Sequence, residues 1–224
     1  MPAWVVVVLV MLATAGVIFG YFLSEKRRKE LAALARAWGF VWEGKDPFGI
    51  PERFAGFGAL DQGHGHRADN VFHGERHGRS VICFDYRYRT GSGKNETTHW
   101  FSAALVALDA DFPPVLIRPE GVLDRVAEFV GFDDIDFESA EFSRRFFVKS
   151  SNRKFAYDLL HARAMEHLLA QPSRFSLEFR GRRVLVNDGK TWGPAEFDFA
   201  VAHLHGLLDL TPEFLKRALQ EGVV

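Results

Sequence analysis

Histidines are the side chains in this sequence with the clearest capacity for chemistry. Five of them, His64, His66, His73, His77 and His99, fall in one stretch of a chain of 224 residues. Neutral imidazole is a common metal ligand, and two histidines separated by one residue share a face of an extended strand. His64-Gly65-His66-Arg67-Ala68-Asp69 therefore approaches the metallo-hydrolase pattern in which His-x-His is followed by Asp-His. Here the aspartate comes one residue late and no histidine follows it. The variant with a glutamate a few residues on also fails, because the first is Glu75, and no predicted helix carries two histidines at i and i+4. His64, His66, His73 and His99 stand as metal-ligand candidates only; a glycine-flanked, solvated loop is the plainer account of this segment.

Other motifs in the chain are also partial. Asp133-Asp134-Ile135-Asp136-Phe137-Glu138 gathers carboxylates that a hard cation accepts, but it lacks the loop spacing and glycine of an EF-hand. It reads as a solvated acidic loop ahead of a strand containing Arg144-Arg145. Thr90-Gly91-Ser92-Gly93-Lys94 invites comparison with a phosphate-cradling loop, yet Tyr88 stands where the first glycine belongs, Asn95 where a hydroxyl belongs, and the next segment is strand-like. A hairpin turn accounts for it. The single cysteine, Cys83, forms no intramolecular disulfide and reads as a buried strand residue. No Gly-x-Ser-x-Gly elbow occurs. No cofactor is expected, and a non-enzymatic module is favoured over an enzyme.

The elements that would position such residues begin with an anchor. Trp4 to Leu23 holds no charged side chain, and Lys26-Arg27-Arg28-Lys29 follows at once. About twenty apolar residues at a rise of roughly 1.5 Å each reach about 30 Å, the hydrocarbon thickness of a bilayer. Ala13-Thr14-Ala15 resembles a signal-peptidase site, but no basic region precedes the apolar run, and the run continues past that site. Trp4 and Tyr21 lie near the two ends, where amphipathic rings favour the interface. The cations Lys26, Arg27, Arg28 and Lys29 beside an uncharged tail predict the N-terminus outside and the C-terminal body in the cytoplasm. Gly16 and Gly20 form a Gly-x-x-x-Gly pair that admits a second helix closely, making them dimer-contact candidates.

The expected organisation is a transmembrane anchor over 1–23, a basic juxtamembrane helix over 24–38 stopping at Gly39, and an α+β domain over 39–224. This domain is either one unit or two half-domains divided near 132–143. Leu31, Leu34 and Ala35 share one face of the juxtamembrane helix. Phe40-Val41-Trp42 reads as a short strand. Ile82, Phe84, Tyr86 and Tyr88 alternate with Cys83, Asp85, Arg87 and Arg89, giving a strand with one aromatic and one charged face, partnered by Thr98 to Val106 in an antiparallel meander. The rings of Phe84, Tyr86, Tyr88, Trp100 and Phe101 serve either as core or as a groove. Val115-Leu116-Ile117 follows as another short strand, and Leu123, Val126, Ala127 and Val130 have helical spacing. Further on come a strand at Arg145 to Val148, a long helix capped at Ser151 or Asn152 and ended by Pro172, and a hairpin of Phe175 to Phe179 with Arg183 to Asn187. Two helices close the chain.

Charge bounds the partners. With 28 Lys plus Arg against 29 Asp plus Glu, the chain lacks the basic face that nucleic acid requires. The expected partners are the lipid bilayer, through the N-terminal helix, and a protein partner or a second copy of the chain.

The order of Asn70-Val71-Phe72-His73-Gly74, Phe84-Asp85-Tyr86-Arg87-Tyr88 with its Thr-Gly-Ser-Gly-Lys turn, Asp134-Ile135-Asp136-Phe137 and Phe142-Ser143-Arg144-Arg145-Phe146-Phe147-Val148 resembles a family of single-pass bacterial membrane-anchored proteins carrying a domain of unknown function. The resemblance implies location at the bacterial inner (plasma) membrane and a soluble domain beyond the anchor; it assigns no catalytic position. The reading is thus a module that binds or scaffolds a protein partner at that membrane. The alternative is a membrane-tethered hydrolase using a His-rich metal site.

Overall fold

The computed structural model describes residues 2–121, 134–170 and 174–222. Helix α1 (Ala3–Ala37) runs unbroken from the apolar segment through the basic run. It is long and apolar enough to cross a membrane, and its apolar window is not buried by the rest of the chain. Farther along, Leu31 and Ala35 are fully buried. They belong to a stripe at four-residue spacing, Leu23, Arg27, Leu31 and Ala35, which lies on one side of a helix. The helix ends at Trp38, with Gly39 in the left-handed region at φ 70°.

The remaining elements are β1 (Val41–Trp42), α2 (Ile50–Arg53), β2 (His64–Arg76), β3 (Arg79–Thr90), β4 (Thr97–Pro119), α3 (Ala140–Arg145), β5 (Phe146–Ser150), α4 (Arg153–Leu159), α5 (Ala162–Leu169), β6 (Ser176–Asn187), α6 (Pro194–Asp209) and α7 (Glu213–Gln220). All six strands join one antiparallel sheet in the order β1-β2-β3-β4. Strand β4 is long enough to serve three partners: β3 and then β5 lie along one edge, and β6 along the other. The class is α+β, as expected.

Both faces of the sheet are covered. On one, Cys83, Ala104, Val106, Val184 and Val186 pack against Leu31 and Ala35 of α1 and against helices α4 to α7. On the other, Ile82, Phe84, Tyr86, Ala103 and Leu105 meet Ile50, Phe54, Phe57 and Leu60. This second cover is pinned by Tyr86, whose hydroxyl donates to Leu60 O at 2.7 Å, and by Gly58 N, which donates to the buried Glu178 carboxylate at 3.0 Å. Cys83 has no exposed surface, and burial pushes its thiol pKa far above the usual value, so it stays protonated.

Several expectations are corrected. The His64-Gly65-His66 segment is the start of β2, where ladder pairing with β3 holds it extended, and not a loop. Val115 to Ile117 is the far end of β4: residues 108–114 of β4, including Pro113 and Pro114, face only 180–182 of β6, so a broad bulge absorbs the prolines. The segment expected as a hairpin from Phe175 to Asn187 forms one strand, β6 (Ser176–Asn187), since Gly181 at φ 54° turns the bulge and both halves pair with β4. The long helix capped by Asn152 splits at Leu160 into α4 and α5, and the Arg144-Arg145 pair ends helix α3 ahead of β5. The helix expected over Leu123 to Val130 and the stop at Pro172 lie outside the described residues.

Helix α1 is clasped to the sheet by charge as well as by packing. Arg27 Nε donates to Asp85 Oδ2 at 2.7 Å while its Nη2 donates to Oδ1. Asp85 has a side chain only 4% exposed, so its charge depends on these partners. We expect Arg27→Met to lower the unfolding free energy of the full chain in detergent by about 3 kcal/mol, because it strands a buried carboxylate. Asp85→Asn on top of it should cost much less than Asp85→Asn alone; additive losses in urea denaturation would show that the two side chains are uncoupled.

Two buried histidines on α6 give the domain a pH dependence. Burial pushes the pKa of His203 down to about 4, helped by His167, and that of His205 down to about 4, helped by Arg79. Both folded values lie below the ordinary 6.5, so between 6.5 and about 4 the unfolded chain binds protons that the native state refuses. Stability should therefore be flat above about pH 7 and fall by about 2 kcal/mol or more toward pH 5. His203→Leu with His205→Leu should flatten that slope in urea titrations at each pH; an unchanged slope would assign it to other groups.

Candidate functional site

Across β2, β3 and β4 the face toward α1 changes character in steps. Phe72, Cys83 and Ala104 align in the core; Asp85 and Ser102 align one step farther; Arg67, Arg87 and Trp100 align beyond them. Helix α1 matches this order, with Leu31 against the apolar row, Arg27 against Asp85, and Leu23 and Ser24 beyond. The helix and sheet do not close on each other in this last interval. A cleft of about 830 Å³ lies there, within the range of small-ligand sites.

The floor of the cleft is a closed polar network. Between Asp69 and Phe72 strand β2 carries one more residue than β3, and Asn70 occupies this bulge at φ 52°, a conformation asparagine tolerates better than most residues. The bulge aims Asn70 Nδ2 at Asp85 Oδ2, 2.7 Å away. Ser102 Oγ donates to Asp85 Oδ1 at 2.6 Å and accepts from Trp192 N at 2.8 Å. Asp85 thus accepts four hydrogen bonds, two from Arg27 and one each from Asn70 and Ser102.

The walls are less committed. Arg67 donates to Asp69 Oδ1 at 2.7 Å and is largely exposed. Arg28 approaches Glu25 only to 3.7 Å with its side chain 58% exposed, and Lys45 makes no ion pair among the described residues. Trp100 is 49% exposed, its ring flanked by the Arg87 guanidinium at 5.4 Å. Arg28, Lys45 and Arg67, with the acids Glu25 and Asp69 beside them and an indole, therefore surround an opening at the level where the apolar part of α1 ends.

The four candidate metal ligands are not brought together. Gly65, at φ 64° in a register shift, breaks the alternation that would align His64 with His66. His64 Nε2 lies 3.2 Å from Glu96, whose carboxyl is held below its usual pKa by side-chain hydrogen bonds from His64 and Arg89. His66 Nε2 meets Gln62 O at 2.9 Å, His73 packs on Phe48 with ring centroids 4.8 Å apart, and His99 stacks on Tyr88. Among the described residues no three His, Cys, Asp or Glu side chains gather as a metal site would require. In the acidic segment Ile135 and Phe137 are buried while Asp134, Asp136 and Glu138 face outward, Asp134 toward Lys149 at 3.6 Å.

Of the anchor residues, Trp4 and Tyr21 are exposed on α1, as are Lys26 and Lys29, and Gly16 and Gly20 have nothing within 4 Å of an added Cβ. Arg27 turns inward and Arg28 faces the cleft. Of the aromatic set, Phe84, Tyr86 and Phe101 are core, Tyr88 is half-buried beside a small pocket, and Trp100 alone reaches the cleft. Asp85, expected on the charged face of its strand, is buried there, with Arg27 supplying its counter-charge. The available signal was an acid between Phe84 and Tyr86, together with a cation on the stripe of Leu31 and Ala35.

No protein-family model matches this chain, and no curated protein matches it either. Among solved structures, the crystal structure of the mycobacterial trehalose monomycolate transport factor A, TtfA, has the same fold at a TM-score of 0.58, with 16% identity over 83% of this chain and 96% of that one.

Proposed function

We propose that this chain is a membrane-anchored binding module that engages a component of the bilayer, or a partner held in it, through the juxtamembrane cleft. The observation that carries this reading is the unbroken helix α1, which leaves the apolar segment and enters the domain core without a linker. A flexible tether would let the domain sample many heights. The clasped helix fixes the cleft at one height, just beyond Leu23 and Ser24. The expected setting is the cytoplasmic side of a bacterial inner membrane, from the cations that follow the apolar run. A fold shared with a protein titled a transport factor agrees with a binding role.

Two measurements test this. A photoreactive residue at Trp100 should give one dominant adduct in native membranes, whereas the same residue at Tyr157, exposed on α4, should give none. Six Gly/Ser residues inserted after Leu23 should reduce the Trp100 adduct several-fold; equal adduct patterns at both positions would overturn the reading. Orientation is read with Lys94→Cys, because the native Cys83 is buried. Labelling by an impermeant maleimide only after the membrane is opened is the expected result, and labelling of intact cells would reverse the topology.

A further inference from the structure

Deepening the binding-module reading, on which it rests, we propose that the cleft holds the anionic phosphodiester headgroup of a lipid from the same bilayer, gripped by Arg28, Lys45 and Arg67 with Trp100 at the acyl boundary. Position is the first argument. Leu23 and Ser24 close the apolar run and line the cleft, so its mouth opens where hydrocarbon gives way to headgroups. A lipid reaches this site by lateral diffusion, with its phosphate at the height of the cations and its chains still in the bilayer.

Charge is the second argument. Asp85 is the most buried acid lining the cleft, and Arg27, Asn70 and Ser102 already satisfy it. That closed network removes the floor's negative charge from competition. Lys45 then has three donors with no ion partner among the described residues, and Arg28 is held only loosely at 3.7 Å from Glu25. Arg67 directs Nε and Nη2 to Asp69, which leaves its Nη1 donors for a phosphate oxygen.

The third argument is Trp100. An indole 49% exposed beside a guanidinium is an unusual surface in water and a common one at a membrane interface, where the ring meets the glycerol region. The volume of about 830 Å³ accommodates a headgroup and its glycerol together.

The test uses the full chain in an uncharged maltoside detergent, titrated with short-chain phosphatidylglycerol below its micelle concentration. Saturable binding of one lipid per chain is expected, weakened about tenfold or more by Arg28→Gln with Lys45→Gln. Both side chains are exposed, so the variant should keep the wild-type denaturation midpoint. Short-chain phosphatidylcholine and glycerol 3-phosphate should each bind at least about tenfold more weakly. Equal binding of phosphatidylcholine, or an unaffected variant, would overturn the proposal; equal binding of glycerol 3-phosphate would assign the cleft to a free phosphate ester instead. If phosphatidylglycerol fails while the Trp100 adduct to a protein persists, the headgroup assignment falls and the binding-module reading stands. Loss of both removes both.

Discussion

Asp85 accepts two charge-assisted hydrogen bonds from Arg27, a residue on the same unbroken helix as the apolar N-terminal run. Had Arg27 served only as one of four topology-setting cations, the anchor and the domain would be joined by whatever the next turn of chain allowed. The guanidinium instead enters the protein, and three features then follow. The helix keeps its phase from the apolar run into the core. The sheet tolerates a buried carboxylate between Phe84 and Tyr86. A gap remains where the helix passes beyond the last row that it can seal.

Helical phase explains why Arg27 and not its neighbours plays this part. Leu31 and Ala35 must face the sheet to be buried, and stepping back by four reaches Arg27 and then Leu23. Lys26 and Lys29 fall on other sides and stay exposed. One basic run is therefore divided between core and surface, and the division follows from the 3.6-residue turn alone.

Much of this was legible in the residues themselves. Period-two alternation located β3 and its partner, period-3.6 spacing located α6 and the docking face of α1, and the uncharged run located a helix long and apolar enough to cross a membrane. What stayed hidden shares a physical cause. Gly65, Gly181 and the Pro113-Pro114 pair are turn-forming residues, and locally they read as breaks; within a long ladder they become bulges, because the strands on both sides already pair with a common neighbour. Asp85 was hidden for a similar reason. Its partner lies 58 residues away, and no local pattern reports a contact made only when helix and sheet meet. The histidines illustrate the converse, since a suggestive spacing dissolved once a left-handed glycine rotated one ring away from the other.

A fold held in common with TtfA at 16% identity means that the packing plan survives wide replacement of side chains, so fold by itself says little about what is bound. The chemistry has to be sought where side chains are not needed for packing. In this chain the neutral, self-satisfied floor of the cleft and its loosely held cations meet that description, whereas the buried aromatic face of β3 does not. On the proposed reading, in which the apolar run of α1 spans the bilayer, an occupant of this opening presents negative charge in the plane of the headgroups while the rest of it remains in the bilayer or against it. A solute arriving from bulk water would satisfy the charge but would leave Trp100 without a reason to stand exposed beside the last apolar turn of α1.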